Sequence, residues 1–422
     1  MANGFSKEET VLFDQTLEGF HDALVVSNLA TVKNFDQTTM ERSGDTIWRP
    51  QPYIMTSNTG MDQTSNFKDV TQLSVPASIN IQKSCNWTLS ATELRDAIQE
   101  GSIRDSAKQR LSSDINVAAL TTVSNLGSIV SKRPAAVGFD DVAELDSTFN
   151  EQGVDMMDRF VAYGSRDYNK LAKDLANRQT VSGKVQTAYE RALVGSNVAG
   201  FDVFKMDYAN TLTLAAGSGV TVTSANQWYT PVPTTTDANG GKHNVDNRYQ
   251  VLPITVTSGT VKVGDCFTIT GVYSVHHITK TVSPTLKTFR ITAINTGAGG
   301  TGTVTITPPI ISGGGGTQAE LMYQNVSATP ASGAPITFLN TVTSTINPIW
   351  KKSALEILPG RLAFPSDAGM QVLRGTTDQG FELVMVKQSD IKTGKTFYRI
   401  DTLFGTALTN TEMAGIQLFN QT

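Results

Sequence analysis

Between about Tyr208 and Asn340 the chain changes character, and that change limits what the rest can become. Runs of Thr, Val and Ile recur at 219–223, 251–257, 266–273, 288–294 and 303–308, with Gly, Pro and Asn between them. β-Branched residues suit a pleated surface and the breakers suit turns, so the block reads as strands. No charged residue occurs between Ile291 and Ala319, and four glycines at 313–316 read as a flexible loop. The pattern predicts an all-β module, a small barrel or sandwich, set into a chain whose flanks carry helical spacing. No repeat of fixed period is present. At 422 residues the chain has room for two or three domains.

The flanks read differently. Ser6 and Glu9 have capping-box spacing, and Phe13, Leu17, Phe20 and Leu24 follow at helical intervals. One amphipathic helix to about Leu29 is expected, its apolar face packed on its own domain or laid as an arm on a neighbour. Residues 46–50 and 73–81 read as strands on either side of a polar stretch at 51–70. Together they predict a protruding β-hairpin that reaches a partner or moves. Ser90 and Glu93 form a second capping box. Ile103, Ala107, Leu111, Ile115, Ala118, Thr122, Leu126 and Ile129 then line one face of a helix expected over 102–132 and ended by Pro134. Some 30 residues span about 45 Å, the length of a spine across a plate. Shorter helices are expected at 139–150 and 166–177, and strands at 159–163, 198–204, 361–364, 381–386 and 397–404. The α+β part is therefore discontinuous, with the β module inserted before its last strands.

Enzymatic chemistry finds no foothold. Gly297 to Gly302 match G-x-G-x-x-G, but strand-forming residues follow where a dinucleotide site needs a helix, so the motif reads as a hairpin turn. His276 and His277 are adjacent and point to opposite faces of a strand, and neither Cys85 nor Cys266 lies at metal-motif spacing. No nucleophile elbow, P-loop or H-E-x-x-H occurs. Asp140 and Asp141 fit the first turn of a helix. No cofactor or metal is expected. Two distant cysteines favour a reducing compartment. The N-terminus lacks a secretory pattern and no apolar run reaches membrane-span length, so a soluble protein made in the cytosol is expected. The net charge of −4, without a visible basic tail or stripe, argues against tight sequence-specific nucleic-acid binding.

One loop stands apart. Asp237, Lys242, His243, Asp246 and Arg248 place both charge signs around the turn signal Asn239-Gly240-Gly241. Either this is a solvated hairpin tip with local ion pairs of little weight, or it is a reciprocal contact. In the second reading Asp237 or Asp246 of one subunit meets Lys242 or Arg248 of another across a two-fold, where a patch meets itself.

Four segments carry a resemblance. Residues 44–50, 198–203, 240–249 and 263–272 resemble, in that order, four parts of the coat proteins of P22-like tailed bacteriophages. These are the strand entering the extended loop, the segment before the insertion, the intercapsomer loop and a barrel strand pair. The resemblance spans essentially the whole chain and implies an HK97-like capsid fold with an inserted β-barrel domain. It implies an N-terminal helical arm at 1–35, a core at 36–207 plus 341–422 and an insertion domain at 208–340. The core holds an extended loop at about 48–73 and the spine helix at about 102–132. The expected function is an icosahedral shell, T=7, of hexamers and pentamers that expands from a procapsid during packaging. Expected partners are further copies of the chain, a scaffolding protein, a portal at one vertex and double-stranded DNA held without sequence specificity. No membrane partner is expected, and the protein is placed in the virion after assembly in the host cytoplasm. Expected contacts are Arg49, Asp62, Lys68 and Asp69 on the extended loop, Phe13, Leu17, Phe20 and Leu24 on the arm, and the five loop residues above. The rival readings are a non-viral shell of the same fold that encloses enzymes, and an extracellular β-rich adhesin.

Overall fold

The computed structural model describes residues 7–33, 46–64, 67–90, 97–177, 197–206, 208, 210–364 and 370–422. The capping boxes expected at 6–9 and 90–93 lie wholly or partly outside these residues. Two compact units emerge, one from 1–47, 76–120 and 355–407, the other from 48–75, 121–354 and 408–422.

The first unit is built on the strand Lys395–Leu408, fourteen residues long. Ile81–Ser90 pairs along it antiparallel from Ser90↔Lys395 to Ile81↔Phe404. The same sheet runs Thr31–Val32, Leu355–Pro359, Lys395–Leu408, Glu382–Asp390, Gln371–Thr376. The strand expected at 361–364 is absent; the apolar run just before it, Leu355–Pro359, takes the ladder position instead. Helix α1, Lys7–Ala23, packs over Gly375. A Cβ there would lie 2.8 Å from the Phe13 ring and 3.0 Å from Leu17. The single helix expected to Leu29 is broken at Leu24 (φ −83°, ψ 64°), and a short α2, Val25–Asn28, follows. Tertiary bonds outweigh helical continuity here. The Asn116 amide oxygen accepts from the Val26 amide and the Gln379 amide oxygen from the Ser27 hydroxyl.

Helix α3 runs Ala97–Leu126, about 45 Å at 1.5 Å per residue. Its buried stripe begins as expected with Ala107, Leu111 and Ile115 but continues through Ala119 and Val123 rather than Ala118 and Thr122. Adjacent small residues made the two registers read alike. The helix also stops six residues short of the expected end. Gly127 takes the chain past the backbone of Gly415, only 2.6 Å from where a Cβ would sit. Ile129–Lys132 then forms a parallel strand beside Ala414–Leu418. The break is Gly127, not Pro134.

The second unit contains two six-stranded sheets. One has the order Ile129–Lys132, Ala414–Leu418, Ser344–Lys351, Arg159–Gly164, Asp202–Met206, with Thr211–Leu212 also on Ser344–Lys351. Residues 198–201, expected as strand, instead form a turn closed by mutual bonds between Val198 and Phe201. Helices α4, Phe139–Gln152, and α5, Ser165–Asn177, contribute Val142, Leu145, Phe149, Tyr168 and Leu171 to a core shared with Phe201 and Ile349. Asp141 holds the start of α4 by accepting from the Val137 and Gly138 amides and from Arg133.

The other sheet is the β block. Its order is Ile336–Phe338, Cys266–Val275, Val282–Ile294, Gly302–Thr307, Gln250–Thr255, Thr221–Val222. A bridge between Thr221 and Pro335 and a bond from the Ile336 amide to the Val220 carbonyl join the first strand to the last. The sheet is thus a closed barrel, which leaves no free edge along the ring. Leu252, Ile254, Phe267, Ile269, Phe289, Ile291, Val304 and Ile306 fill it. The glycine motif at 297–302 is the turn between two antiparallel strands.

The close approach at Gly415 yields a prediction. A Cβ there would lie 2.0 Å from the Ile129 carbonyl oxygen. Gly415→Ala is expected to cost about 3 kcal/mol or more, because backbone cannot move aside as a side chain can. Urea unfolding of the purified variant reads this directly; an unchanged midpoint would refute it.

Candidate assembly interface

The barrel strand Val282–Ile294 is fastened to the neighbouring elements of its own unit by a row of polar contacts. The Glu151 carboxylate accepts from the Ser283 and Thr285 hydroxyls. Thr288 donates to the Ser128 carbonyl and Arg290 to that of Ser124. Between them the Lys287 ammonium, 1% exposed, sits 2.5 Å from Glu412. The amide of Asn325 donates to the same carboxylate at 3.1 Å, and His277 Nε2 lies 3.4 Å away. Burial alone would raise the Glu412 carboxyl; the Lys287 ammonium, with the Asn325 hydrogen bond, outweighs it and holds it below the usual range. Burial pushes the His277 imidazole down to about 4 despite the carboxylate, with Lys287 adding to the effect. Lys287 already neutralises Glu412, so the imidazole is neutral at physiological pH.

From this fixed barrel a two-stranded ribbon projects. Thr234–Thr236 pairs with Lys242–Asn244 in the register Thr234↔Asn244, Thr235↔His243, Thr236↔Lys242, and all six residues are exposed. At its turn the Asp237 carboxylate accepts from the Asn239 amide (2.9 Å), the Gly241 amide (2.7 Å) and His243 Nε2 (3.0 Å). His243 and these amides hold Asp237 below the usual carboxylate range. Gly240 takes φ +85°, a backbone region open to glycine. Lys242 is exposed and, among the described residues, pairs with no carboxylate.

The root of the ribbon is built differently. Arg248 grips Asp246 through Nε–Oδ1 (2.9 Å) and Nη2–Oδ2 (2.6 Å), donates to the Leu408 carbonyl at 2.7 Å and stacks over Tyr249. Burial opposes its charge, but the Asp246 hydrogen bonds prevail and raise its pKa. Asn247 fixes the segment leading into the ribbon through the Val232 amide and carbonyl. The five charged residues expected to act together are therefore split. Asp237, Lys242 and His243 face solvent at the tip. Asp246 and Arg248 are engaged with each other, and the guanidinium is turned inward. That corrects the expectation that Arg248 is offered to a neighbour.

On the extended loop, Thr46–Pro50 pairs with Ser74–Ser78, and 51–64 and 67–73 are irregular. Arg49 is half-buried; Asp62, Lys68 and Asp69 are exposed, and Asp62 closes a local turn with Thr64. Ile54 and Leu73 pack with Ile311, Met322 and Tyr323, and Tyr323 donates to the Thr71 carbonyl. Met55, Met61 and Phe67 remain exposed. The arm residues take the other of their two expected places. Phe13, Phe20 and Leu24 are buried, and Leu17 lies against Gly375. In this conformation they serve their own unit.

Among the described residues no group of His, Cys, Asp or Glu is arranged to hold a metal ion, and no helix is long and apolar enough to cross a membrane. A family model described as "P22 coat protein - gene protein 5" matches residues 1–420. This chain belongs to the P22 coat protein family. It is a major capsid protein of a tailed phage, structural rather than enzymatic, that assembles with copies of itself into the virion shell. Its architecture is mixed α+β with an inserted closed barrel. Among solved structures it is similar to the I-domain of the CUS-3 coat protein, at 39% identity over 29% of this chain and 95% of that one, TM-score 0.23. It is also similar to the capsid of Cyanophage P-SCSP1u, at 12% identity over 93% and 86%, TM-score 0.45. A virus-like particle from Pyrococcus furiosus matches at 10% identity over 98% and 100%, TM-score 0.40.

Lys287, Glu412 and Asn325 escaped sequence reasoning because 125 residues separate the ion pair and no local motif marks either partner. The sequence around His277 suggests no role for it beyond a metal ligand. Its folded-state pKa lies below its unfolded value, so the stability it carries is complete above about pH 6.5 and is lost as pH falls towards 4. That amounts to at most about 3 kcal/mol across the window. His277→Leu is expected to lose distinctly less thermal stability than the parent between pH 7 and pH 5. Parallel declines in both proteins would show that another group carries the acid sensitivity.

Proposed function

We propose that this capsid protein builds a T=7 icosahedral shell of hexamers and pentamers around double-stranded DNA. It assembles first as a procapsid with a scaffolding protein and a portal at one vertex, and then expands. Within the chain we assign residues 1–35 to an arm, 36–207 and 341–422 to the core and 208–340 to the insertion domain. The extended loop clasps neighbours through Asp62, Lys68 and Asp69, while Arg49 sits on its supporting strand.

The observation that carries the contact assignment is the solvent-exposed ribbon at 234–244. An isolated two-stranded ribbon is marginal in water, yet this one is held up by a buried arginine at its root and displays both charge signs at its tip. Such a tip is self-complementary across a two-fold, with Asp237 of one copy facing Lys242 of the other. Each contact is weak and reversible, and repetition around a closed lattice supplies the strength.

Two variants separate tip from root. Lys242→Ala, which removes none of the bonds that close the turn, is expected to change unfolding stability by no more than about 0.5 kcal/mol. Co-expressed with the scaffolding protein of its own source, it yields tubes or open sheets. Arg248→Ala is expected to lose about 2 kcal/mol, because the Asp246 carboxylate and the Leu408 carbonyl lose their donor. Sedimentation and electron microscopy of the fast fraction read the outcome and the lattice number together. Normal closed shells from the tip variant would end the two-fold assignment.

A further inference from the structure

Helix α5 carries a basic face that is not apparent in the sequence. Over Ser165–Asn177 it has Arg166, Lys170 and Lys173 but also Asp167 and Asp174, a balance of only one positive charge. Folding separates the signs. Arg166, Asn169, Lys170, Lys173 and Asn177 are exposed, while Tyr168, Leu171 and Ala172 on the opposite face are buried. The Asp174 carboxylate is spent on the Phe139 amide at 3.0 Å. Asp167, 13% exposed, faces the Asn347 amide at 3.3 Å and reaches Lys170 only at 3.6 Å. Among the described residues Arg166 and Lys173 pair with no carboxylate. Lys205, exposed on the strand Asp202–Met206, lies 6.0 Å from the Tyr168 ring and adds a fourth cation beside the helix.

We infer that this face binds the phosphate backbone of double-stranded nucleic acid, which rests on the reading that the shell encloses DNA. The three helix cations fall within about 10 Å along the axis. A duplex presents one phosphate charge per about 1.7 Å of its length, so several lie within their reach. The exposed face holds cations, asparagine amides and the Ser165 hydroxyl, all of which donate hydrogen bonds to phosphate. It offers none of the exposed apolar or aromatic anchors on which a protein partner depends, and so phosphate rather than an acidic protein is the matching ligand. Neither base edges nor a groove-filling element is provided, so binding is independent of sequence and weak per copy.

The test is fluorescence anisotropy of the full-length unassembled chain with a labelled 30-base-pair duplex of arbitrary sequence, over a salt series. Arg166→Gln/Lys170→Gln/Lys173→Gln is compared with a control that loses the same charge elsewhere, Lys262→Gln/Lys392→Gln/Lys395→Gln. The parent and the control are expected to bind with equal salt slopes. The α5 variant should bind about tenfold more weakly at low salt, with a log–log slope shallower by about 2 to 3. Absent binding by the parent at low salt, or equal losses in both variants, would overturn the inference. So would displacement of the duplex by poly-glutamate at matched charge, which would point to an acidic protein instead. The assay needs no shell, so failure of the assembly reading and failure of this one are told apart by whether the α5 variant still forms closed particles.

Discussion

The Lys287–Glu412 pair, at 2.5 Å and almost wholly buried, is the constraint on which the second unit depends. Removing two ions from water is expensive, and their attraction offsets that cost only when geometry and supporting hydrogen bonds are good. Here Asn325 supplies one bond to the carboxylate and a neutral His277 closes the site without adding a competing charge. A pair of this kind is weak evidence for added stability. It strongly disfavours any arrangement in which either ion is left alone. It therefore specifies how the barrel strand Val282–Ile294 meets the 3₁₀ turn Thr411–Met413 and the sheet strand that follows it.

The other contacts of that strand follow from the same placement. Once Lys287 is seated, Arg290 reaches the carbonyl of Ser124 at the end of α3, and Thr288 that of Ser128. The close backbone approach of Gly127 to Gly415 lets the chain turn from helix into a parallel strand at that point. A barrel fastened this way is a rigid base, and the ribbon at 234–244 inherits its direction from it through Arg248 and Asn247. A contact loop needs such a base, because a tip free to wander would lose entropy at every copy of a lattice contact.

Charge is distributed by the same logic. Acidic groups are turned to backbone amides or buried partners: Asp141 and Asp174 serve the start of α4, and Asp246 serves Arg248. Among the exposed charges are a mixed-sign tip on the ribbon and a single-sign face on α5. A chain with net charge −4 thus presents surfaces of different electrostatic character, one suited to its own copy and one to a polyanion.

Much of the fold was legible because its signals are local. The Thr/Val/Ile alternation that made the barrel strands readable depends only on neighbouring residues, as do the acidic start of α4 and the long periodicity of α3. The turn at 297–302 was legible because a strand follows it. Where reading failed, a distant partner had decided. Asn116 and Gln379 broke α1 at Leu24, Gly415 ended α3 at Gly127, and the sheet of the first unit drew the arm's apolar face onto its own chain. Within the candidate site the turn at Asn239–Gly241 and its charges were visible, but not their division into tip and root, because that rests on a bond from Arg248 to a carbonyl 160 residues away. Sequence alone determined the barrel strands, the long helix and the glycine turn at 297–302, since propensity and periodicity act over a few residues. Only tertiary structure decided which charges meet each other and which meet solvent, since electrostatic partners are chosen by proximity in space.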